Sequence, residues 1–280
     1  LPSHGHNHGL YHPKPFMKWA GGKTQLIPEL SKFFLKSISE SFHQRYIEPF
    51  VGSGSILFWL IRSQLVQNSI ISDVNVSLMD TYRSIQDPES FKKLLSLLKK
   101  HQKLHSKEYY YHQRAQKFEA KEKKHEKAAR MIYLNRTCFN GLWRVNSHGQ
   151  FNVPMGKYND PQIVNEENLY QVHRALQNVE LRTQHFSDLF AEVTSKDFLY
   201  LDPPYHPLSE TSSFTSYSQG GFKAKDQELL ASELMRLNSL GVFWILSNSN
   251  CEFIKALYKN FSCFEVYARR NINSNAMKRG

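Results

Sequence analysis

The sequence is poor in cysteine and has no long apolar segment. Its cysteines, Cys138, Cys251 and Cys263, form no C-x-x-C pair and no cysteine–histidine spacing of a metal site, and their odd number argues against a disulfide framework. The longest apolar run, SILFWLI at residues 55–61, is too short to cross a bilayer, and no signal-peptide pattern precedes it. We therefore expect a protein of the reducing cytoplasm that neither spans a membrane nor binds a metal.

Two phosphate-binding glycine patterns are incomplete. The segment KWAGGKTQL, residues 18–26, contains the Gly-Lys-Thr triplet of a P-loop, but Met17 occupies the position of the first P-loop glycine. The preceding residues include two prolines and do not resemble a buried strand. In EPFVGSGS, residues 48–55, the pattern G-x-G-x-x-G fails because Leu57 replaces its third glycine. These absences argue against a P-loop hydrolase and against a dinucleotide-binding enzyme.

The chain does contain an excess of positive charge. Its 280 residues, 40% of them hydrophobic, suit one large domain, or one domain with an inserted subdomain. The formal net charge of +11 favours a polyanionic partner, because Lys and Arg release counterions from nucleic acid phosphates. Charge alone does not distinguish such a protein from a merely soluble basic one. Residues 1–15, rich in histidine and glycine, are expected to be a disordered leader.

Strand and helix signals alternate on both sides of a long charged region. Strand signals fall in YIE, SIISD, VELRT, DFLYL, VFWIL and CFEVYARR. Residues 82–130 instead have the pattern of long charged helices, and a turn-rich stretch follows them. This order predicts an α/β protein. Residues 16–76 and 181–280 would form a doubly wound, Rossmann-like sheet, and residues 77–180 a mostly helical insertion that contains a β-hairpin.

A glycine loop and a carboxylate indicate a nucleoside ligand. Gly52 and Gly54 follow a strand and precede a helix, so a ligand could approach the backbone at the helix N-terminus. Asp73 ends the next strand, where nucleotide-binding α/β folds place the carboxylate that accepts ribose hydroxyls. Together these features indicate an adenosine-containing cofactor. The missing third glycine favours one without a pyrophosphate, such as S-adenosylmethionine.

The tetrapeptide DPPY, Asp202-Pro203-Pro204-Tyr205, follows the apolar strand FLYL. At the carboxyl end of a parallel strand, the Asp202 carboxylate lies in the crevice where such sheets bind ligands, and the prolines stiffen the turn. Asp202 and the Pro203 carbonyl then offer acceptors for both N–H donors of an exocyclic amine and leave its nitrogen directed at an electrophile. Tyr205 offers a face on which a flipped base can stack. We take these four residues as the candidate catalytic group.

The order of the motifs adds a family resemblance. FMKWAGGK, EPFVGSGS, NRTCFNGLWRVNSHGQFNVP, DPPYHPLSETSSFTSY and ARRNINSN occur in this order. From Phe16 to about Lys278 the chain resembles the DNA adenine methylase (Dam) family, the α-group of amino-methyltransferases that modify N6 of adenine in GATC. The resemblance implies that KWAGGK lies over S-adenosylmethionine. It assigns cofactor contacts to Trp19, Gly21, Lys23, Glu48, Phe50, Gly52, Gly54, Asp73, Phe186 and Asp202.

The resemblance also gives the insertion a role. Residues 77–180 resemble the family's target-recognition domain, in which FNGLWRVN begins a hairpin that enters the major groove. DNA contacts are implied for Lys18, Phe139, Asn140, Leu142, Arg144 and Pro154. Arg144 matches the arginine that reads a guanine, while Leu142 and Pro154 match apolar residues that meet a thymine methyl group, roles that suit their chemistry. Without the resemblance, a phosphate contact or a surface ion pair is an equally good interpretation of Arg144.

The resulting hypothesis is direct transfer of a methyl group from the cofactor sulfonium to adenine N6 in double-stranded DNA, without a metal or a covalent enzyme intermediate. A cytosine-C5 mechanism needs a nucleophilic cysteine, usually after proline, and no cysteine of this chain follows one. Two alternatives stay open: transfer to N4 of cytosine or to RNA adenine, and a basic DNA-binding protein without activity. We expect a DNA-associated monomer of the bacterial cytoplasm. A cognate restriction endonuclease, if one exists, would act on the same site without forming a stable complex.

Overall fold

The structure is a computed structural model that describes residues 12–19, 21–40, 45–116, 123–146, 148–207 and 222–267. Of the leader expected at residues 1–15, only residues 12–15 are among them. The described residues form five β-strands, ten α-helices and three short 3-10 helices.

A five-stranded parallel sheet forms the centre of the fold. Its strands are Arg45–Glu48 (β1), Ser69–Ser72 (β2), Val179–Arg182 (β3), Asp197–Leu201 (β4) and Phe243–Leu246 (β5). Their order across the sheet is β3-β2-β1-β4-β5, and every neighbouring pair is parallel. In the central strand, Ile47 pairs with Ile70 on one side and with Leu199 on the other. The doubly wound α/β class predicted from the sequence is confirmed.

Helices occupy most of the chain between the strands. They are Ile27–Glu40 (α1), Ser55–Arg62 (α2), Val76–Gln86 (α3), Pro88–Leu104 (α4), Lys107–Ala115 (α5), Lys124–Thr137 (α6), Glu166–Ala175 (α7), Phe186–Phe190 (α8), Ala224–Ser239 (α9) and Glu252–Leu257 (α10). Five of them begin at a polar side chain that accepts a hydrogen bond from a backbone N–H of the first turn: Asn75, Asp87, Ser106, Asn165 and His185. The caps at Asp87 and Ser106 divide the charged helical region into separate helices.

Apolar cores cover both faces of the sheet. Along β4 the side chains alternate, because successive residues of a strand point to opposite faces. Phe198 and Tyr200 belong to one core, which extends into α3, α4 and α6. Leu199 and Leu201 belong to the other, which α8 and α9 close. Burial on both faces explains why β4, Asp197–Leu201, is a nearly continuous apolar run.

One predicted strand is not formed. In CFEVYARR, Cys263–Tyr267 have no regular secondary structure, and the remaining three residues lie outside the described chain. Phe264 and Tyr267 are 67% and 88% exposed. A segment with an alternating pattern forms a strand only if a neighbouring strand pairs with it. Here the ring of Phe264 packs on Phe33, with centroids 4.8 Å apart, and β5 is the last strand of the described sheet.

The helical insertion shares a core with the sheet. Helix α6 packs against α3 and α4, and side chains of all three helices join the core that contains Phe198. Strand β3 begins at Val179, so the boundary expected between residues 180 and 181 falls inside a strand. The division into a catalytic and a recognition domain stays a prediction.

Candidate active site

Three segments that are distant in sequence meet at the carboxyl edge of the sheet. Glu48 is the last residue of β1, Asp202 follows β4, and Lys23 begins a 3-10 helix, Lys23–Leu26, that leads into α1. The strand order reverses at this point, since β2 lies on one side of β1 and β4 lies on the other. Such a switch point forms the ligand-binding crevice of doubly wound folds.

Lys23 and Asp202 form a buried ion pair. Nζ of Lys23 lies 2.6 Å from Oδ2 of Asp202 and also donates to the Gly21 carbonyl at 2.7 Å. The same Nζ lies 4.7 Å from the ring centroid of Tyr205, and Lys23 is only 5% exposed. Oδ1 of Asp202 is buried and has no hydrogen-bond partner among the described residues. One carboxylate oxygen is thus occupied by Lys23, and the other is available to a ligand.

Burial perturbs the acidic groups around this pair. Glu48 is 2% exposed, and burial raises its pKa to about 8, although the Tyr46 hydroxyl donates to its Oε2 at 2.8 Å. Burial also raises the pKa of Asp202, and Lys23 opposes that rise. Burial disfavours the charged form of Lys23, but the attraction of Asp202 and Tyr205 outweighs it and raises the pKa of Lys23. At neutral pH the Lys23–Asp202 pair therefore lies near a Glu48 side chain that is mostly protonated.

The glycine loop after β1 is shaped by close packing. Gly52 and Gly54 have φ angles of +49° and +70°, a region that favours glycine. A Cβ atom at Gly52 would lie 2.8 Å from Cδ1 of Trp19, and one at Gly54 would lie 2.7 Å from the hydroxyl oxygen of Tyr82. The loop is thus in contact with Trp19 of the KWAGGK segment, and both glycines are required by the protein's own packing.

Asp73 lies directly beside the glycine loop. Its Oδ2 accepts a hydrogen bond from the Gly52 N–H at 3.4 Å, and its Oδ1 accepts one from the Asn75 N–H at 2.9 Å. Burial raises its pKa to about 6, against the effect of these backbone donors. A carboxylate oxygen accepts more than one hydrogen bond, so Asp73 keeps acceptor capacity for a ligand.

Phe50 and Phe186, the two phenylalanines predicted to contact the cofactor, pack against each other. The ring centroids of Phe50 and Phe186 are 5.5 Å apart, and Phe50 also meets the edge of Phe222 at 5.7 Å. Phe186 is 2% exposed, and the imidazole of His185 lies 4.2 Å from its ring. Phe50 is therefore the more accessible of the two.

A loop at residues 138–156, here called the 138–156 loop, carries most of the predicted DNA contacts. Phe139, Asn140, Arg144 and Pro154 are exposed, and Leu142 is half-buried. The expected hairpin is present as two isolated antiparallel bridges, Cys138 to Met155 and Val145 to Phe151, without continuous strands. The exposed side chains thus lie on an irregular hairpin, whose two sides are joined by backbone hydrogen bonds such as those from Phe139 N–H to the Pro154 carbonyl and from Asn152 N–H to the Arg144 carbonyl.

Side chains from neighbouring helices also hold this loop in place. Asn135 of α6 accepts from the Lys18 N–H at 2.8 Å and donates to the carbonyls of Lys18 and Gly141 at 2.7 and 3.0 Å. The buried Tyr110 of α5 donates its hydroxyl to the Val153 carbonyl at 2.9 Å. Asn135 therefore joins the segment of Lys18 to the 138–156 loop, and Tyr110 holds the loop next to Pro154.

Comparison with known proteins decides the family. The model of the D12 class N6 adenine-specific DNA methyltransferases matches residues 19–272. The chain belongs to this family. It is 41% identical to the Type II methyltransferase M.MjaIII of Methanocaldococcus jannaschii over 276 residues, 95% of each protein. It is 39% identical to the Type II methyltransferase M1.LlaDCHI of Lactococcus lactis subsp. cremoris, over 95% of this chain and 92% of the relative. It is 31% identical to the DNA adenine methylase of Serratia marcescens, over 95% of this chain and 94% of the relative.

The family confirms the enzyme class predicted from the sequence, an adenine-specific DNA methyltransferase. In the methyltransferase, the predicted residues Lys23, Glu48 and Asp202 come together at one edge of the sheet, and Lys18 reaches the 138–156 loop through Asn135. Their individual roles stay predictions. The sequence pattern did not indicate the roles of Asn135 and Tyr110, because a polar residue within a helix gives no local sign of the backbone groups it will bind.

Cys138 is not suited to act as a nucleophile. Burial raises the pKa of Cys138, the first residue of the 138–156 loop, to about 12, which keeps its thiol protonated. The described residues contain no cluster of three or more metal-ligating side chains. Within the same part of the chain, every helix is too short or too polar to cross a bilayer.

Proposed function

We propose that the protein transfers a methyl group from S-adenosylmethionine to N6 of a flipped adenine in GATC within double-stranded DNA. The observation that carries this proposal is the asymmetric Asp202 carboxylate: Oδ2 is bound by Lys23, and Oδ1 is buried without a hydrogen-bond partner in the part of the chain that the structure describes. An unsatisfied buried acceptor is costly, so its presence at the switch point favours a ligand with an N–H donor.

The turn after β4 has groups suited to an adenine amine. Oδ1 of Asp202 and the carbonyl of Pro203 would accept its two N–H groups and hold the nitrogen toward the methyl donor. Tyr205 is 43% exposed, which leaves part of its ring for stacking with an extruded base. Lys23 opposes the rise that burial gives to the pKa of Asp202, and so favours the charged form of this acceptor.

The glycine loop and its neighbours suit S-adenosylmethionine, which supplies the activated methyl group when bound. Asp73 has free acceptor capacity for ribose hydroxyls, and Trp19 lies against Gly52 at the same edge of the sheet. Methyltransferases of this family generally use this cofactor. We assign the other predicted contacts, Gly21, Phe50, Gly54 and Phe186, to the same site.

Recognition of GATC is supported by the similarity to DNA adenine methylases and by the exposed side chains of the 138–156 loop. Arg144 would read a guanine, Leu142 and Pro154 a thymine methyl group, and Phe139 with Asn140 would fill the space beside the flipped adenine. Lys18 would contact the other end of the site. Residues 77–180 would then act as the recognition domain of a monomer in the bacterial cytoplasm.

The names of the two most similar relatives reported above, both Type II methyltransferases, support a place in restriction–modification. A cognate endonuclease would cleave the same unmodified sequence and need no stable contact with this chain.

Product analysis tests the proposed function. The protein is incubated with labelled S-adenosylmethionine and duplexes that contain GATC, each single-base variant, or GATC already methylated at N6. Digestion to nucleosides should give labelled N6-methyladenine from GATC, and little label from the variants or the premethylated duplex. Labelled N4-methylcytosine, equal labelling of RNA, or no label at all would contradict the proposal.

A further inference from the structure

Two amide side chains lie behind the Asp202–Tyr205 turn. Gln227, on α9, is 0% exposed, and its Nε2 donates to the Pro204 carbonyl at 2.9 Å. Its Oε1 accepts from Nδ2 of Asn248 at 2.9 Å. Oδ1 of Asn248 in turn accepts from the His206 N–H at 3.5 Å. This chain of contacts, here called the amide relay, reaches the backbone on both sides of Tyr205.

The turn depends on outside donors because of its sequence. Pro203 and Pro204 have no N–H groups, so the turn is poor in backbone donors of its own. Gln227 lies in a largely apolar environment with Leu230 and Leu234 of the same helix, where a buried amide is costly unless its hydrogen bonds are satisfied. Both of its polar atoms are satisfied, one of them by the turn.

We infer that Gln227 and Asn248 are positioning residues for methyl transfer. Gln227 fixes the carbonyl of Pro204, and Asn248 holds Gln227 in place and restrains His206. Together they set the direction of the Tyr205 ring and, three residues earlier, of the Asp202 carboxylate. The inference rests on the proposed function, since it assigns these amides to the alignment of the adenine amine.

The test compares two methionine variants that each remove a side-chain amide. Gln227→Met breaks the amide relay and keeps the length of the side chain. Gln86→Met is the matched control, because Nε2 of Gln86 donates to the carbonyls of Leu176 and Val179 at 2.7 Å each, near the start of β3 and away from the turn. Single-turnover methyl transfer to a GATC duplex is measured well below both melting temperatures, with the Kd for S-adenosylmethionine and for the duplex.

Gln227→Met should lower the single-turnover rate by roughly 10- to 100-fold, because small displacements of reacting groups have effects of this size, and both Kd values should stay near wild type. Gln86→Met should lower stability and keep the rate. A wild-type rate in Gln227→Met, or equal rate losses in both variants, would overturn the inference. If Gln227→Met does not fold, Asn248→Ala is judged by the same criteria. Failure of the proposed function is distinguishable, because the wild-type protein would then produce no N6-methyladenine.

Discussion

Lys23 and Asp202 are joined by a buried ion pair with 2.6 Å between Nζ and Oδ2. This contact connects the KWAGGK segment, which resembles half a P-loop, to the turn after β4. The lysine therefore balances the negative charge of a carboxylate of the protein itself, whereas the lysine of a P-loop binds a phosphate of the ligand.

Replacing this lysine should change the pH dependence of catalysis. In Lys23→Met nothing opposes the effect of burial on Asp202, so the pKa of Asp202 should rise further. Each unit by which that pKa exceeds the assay pH lowers the ionised fraction about tenfold. The acid limb of the kcat profile should therefore move to higher pH. Lys32→Met, which removes an exposed partner of Glu29, is the control and should leave the profile unchanged. An unshifted acid limb in Lys23→Met would contradict the role of the pair.

Glu48 should make the cofactor-free protein less stable as the pH rises. Its pKa in the folded state is about 8, against an ordinary value of 4.5. Between these values the folded protein holds a proton that the unfolded chain has lost, so the free energy of unfolding falls with rising pH. Glu48→Gln imitates the protonated side chain and removes this dependence. Urea denaturation near pH 5 and pH 8.5 measures it, and the variant should gain stability relative to wild type at the higher pH. A constant difference between the two proteins would show that Glu48 ionises normally.

Asp73 should control cofactor affinity. Asp73→Ala removes the acceptor for ribose hydroxyls, which typically costs about 1.5 to 3 kcal/mol of binding free energy. Because the pKa of Asp73 is about 6, wild-type affinity should weaken as the pH falls through that value, and the variant should lack this dependence. Calorimetry with S-adenosylmethionine measures both effects. Asp80→Ala, which removes a partner of Arg83 on α3, is the control and should bind the cofactor normally. Unchanged affinity in Asp73→Ala would remove this residue from the cofactor site.

Arg144 separates base recognition from general attraction to DNA. Its Nε donates to Oδ1 of Asn152 at 2.8 Å, which orients an exposed guanidinium. Arg144→Ala should cost about 1 to 3 kcal/mol on GATC and relax selection at one base pair only. Lys157→Ala, which removes an exposed charge just beyond the 138–156 loop, should weaken all duplexes alike. Methylation of GATC and its variants is measured with binding at several salt concentrations. Uniform weakening by Arg144→Ala, with a salt slope reduced by about one, would indicate a phosphate contact.

The sequence predicted the central sheet well because each strand is a local signal. YIE, SIIS, DFLYL and FWIL are short, mostly apolar segments, VELR alternates apolar and charged residues, and all five are strands of the structure. CFEVYARR has a similar local pattern, but Cys263–Tyr267 are not a strand, since a strand also needs a neighbour to pair with. The local pattern therefore indicates that a segment is able to form a strand, but it does not indicate whether another strand will pair with that segment.

The candidate site was predictable in part for the same reason. DPPY and the glycine loop are local motifs, whereas Gln227 binds Pro204 across 23 positions of sequence and Tyr110 binds Val153 across 43. Nothing near Gln227 in the sequence indicates which carbonyl it will meet. The sequence thus identifies the motifs that are expected to contact ligands, and only the folded chain reveals the side chains that hold them.

The catalytic role of Asp202 is tested most directly by the single-turnover rate of methyl transfer to a GATC duplex by Asp202→Ala. Asp197→Ala is its control, because Asp197 is a buried carboxylate at the start of β4, the strand that Asp202 follows, and it pairs with Arg45 at 2.8 Å. We expect Asp202→Ala to fold, to bind the duplex normally, and to lose about 100-fold or more of the rate, since its amine acceptor is gone. Asp197→Ala should lose stability and keep the rate. A near-normal rate in Asp202→Ala would contradict the account.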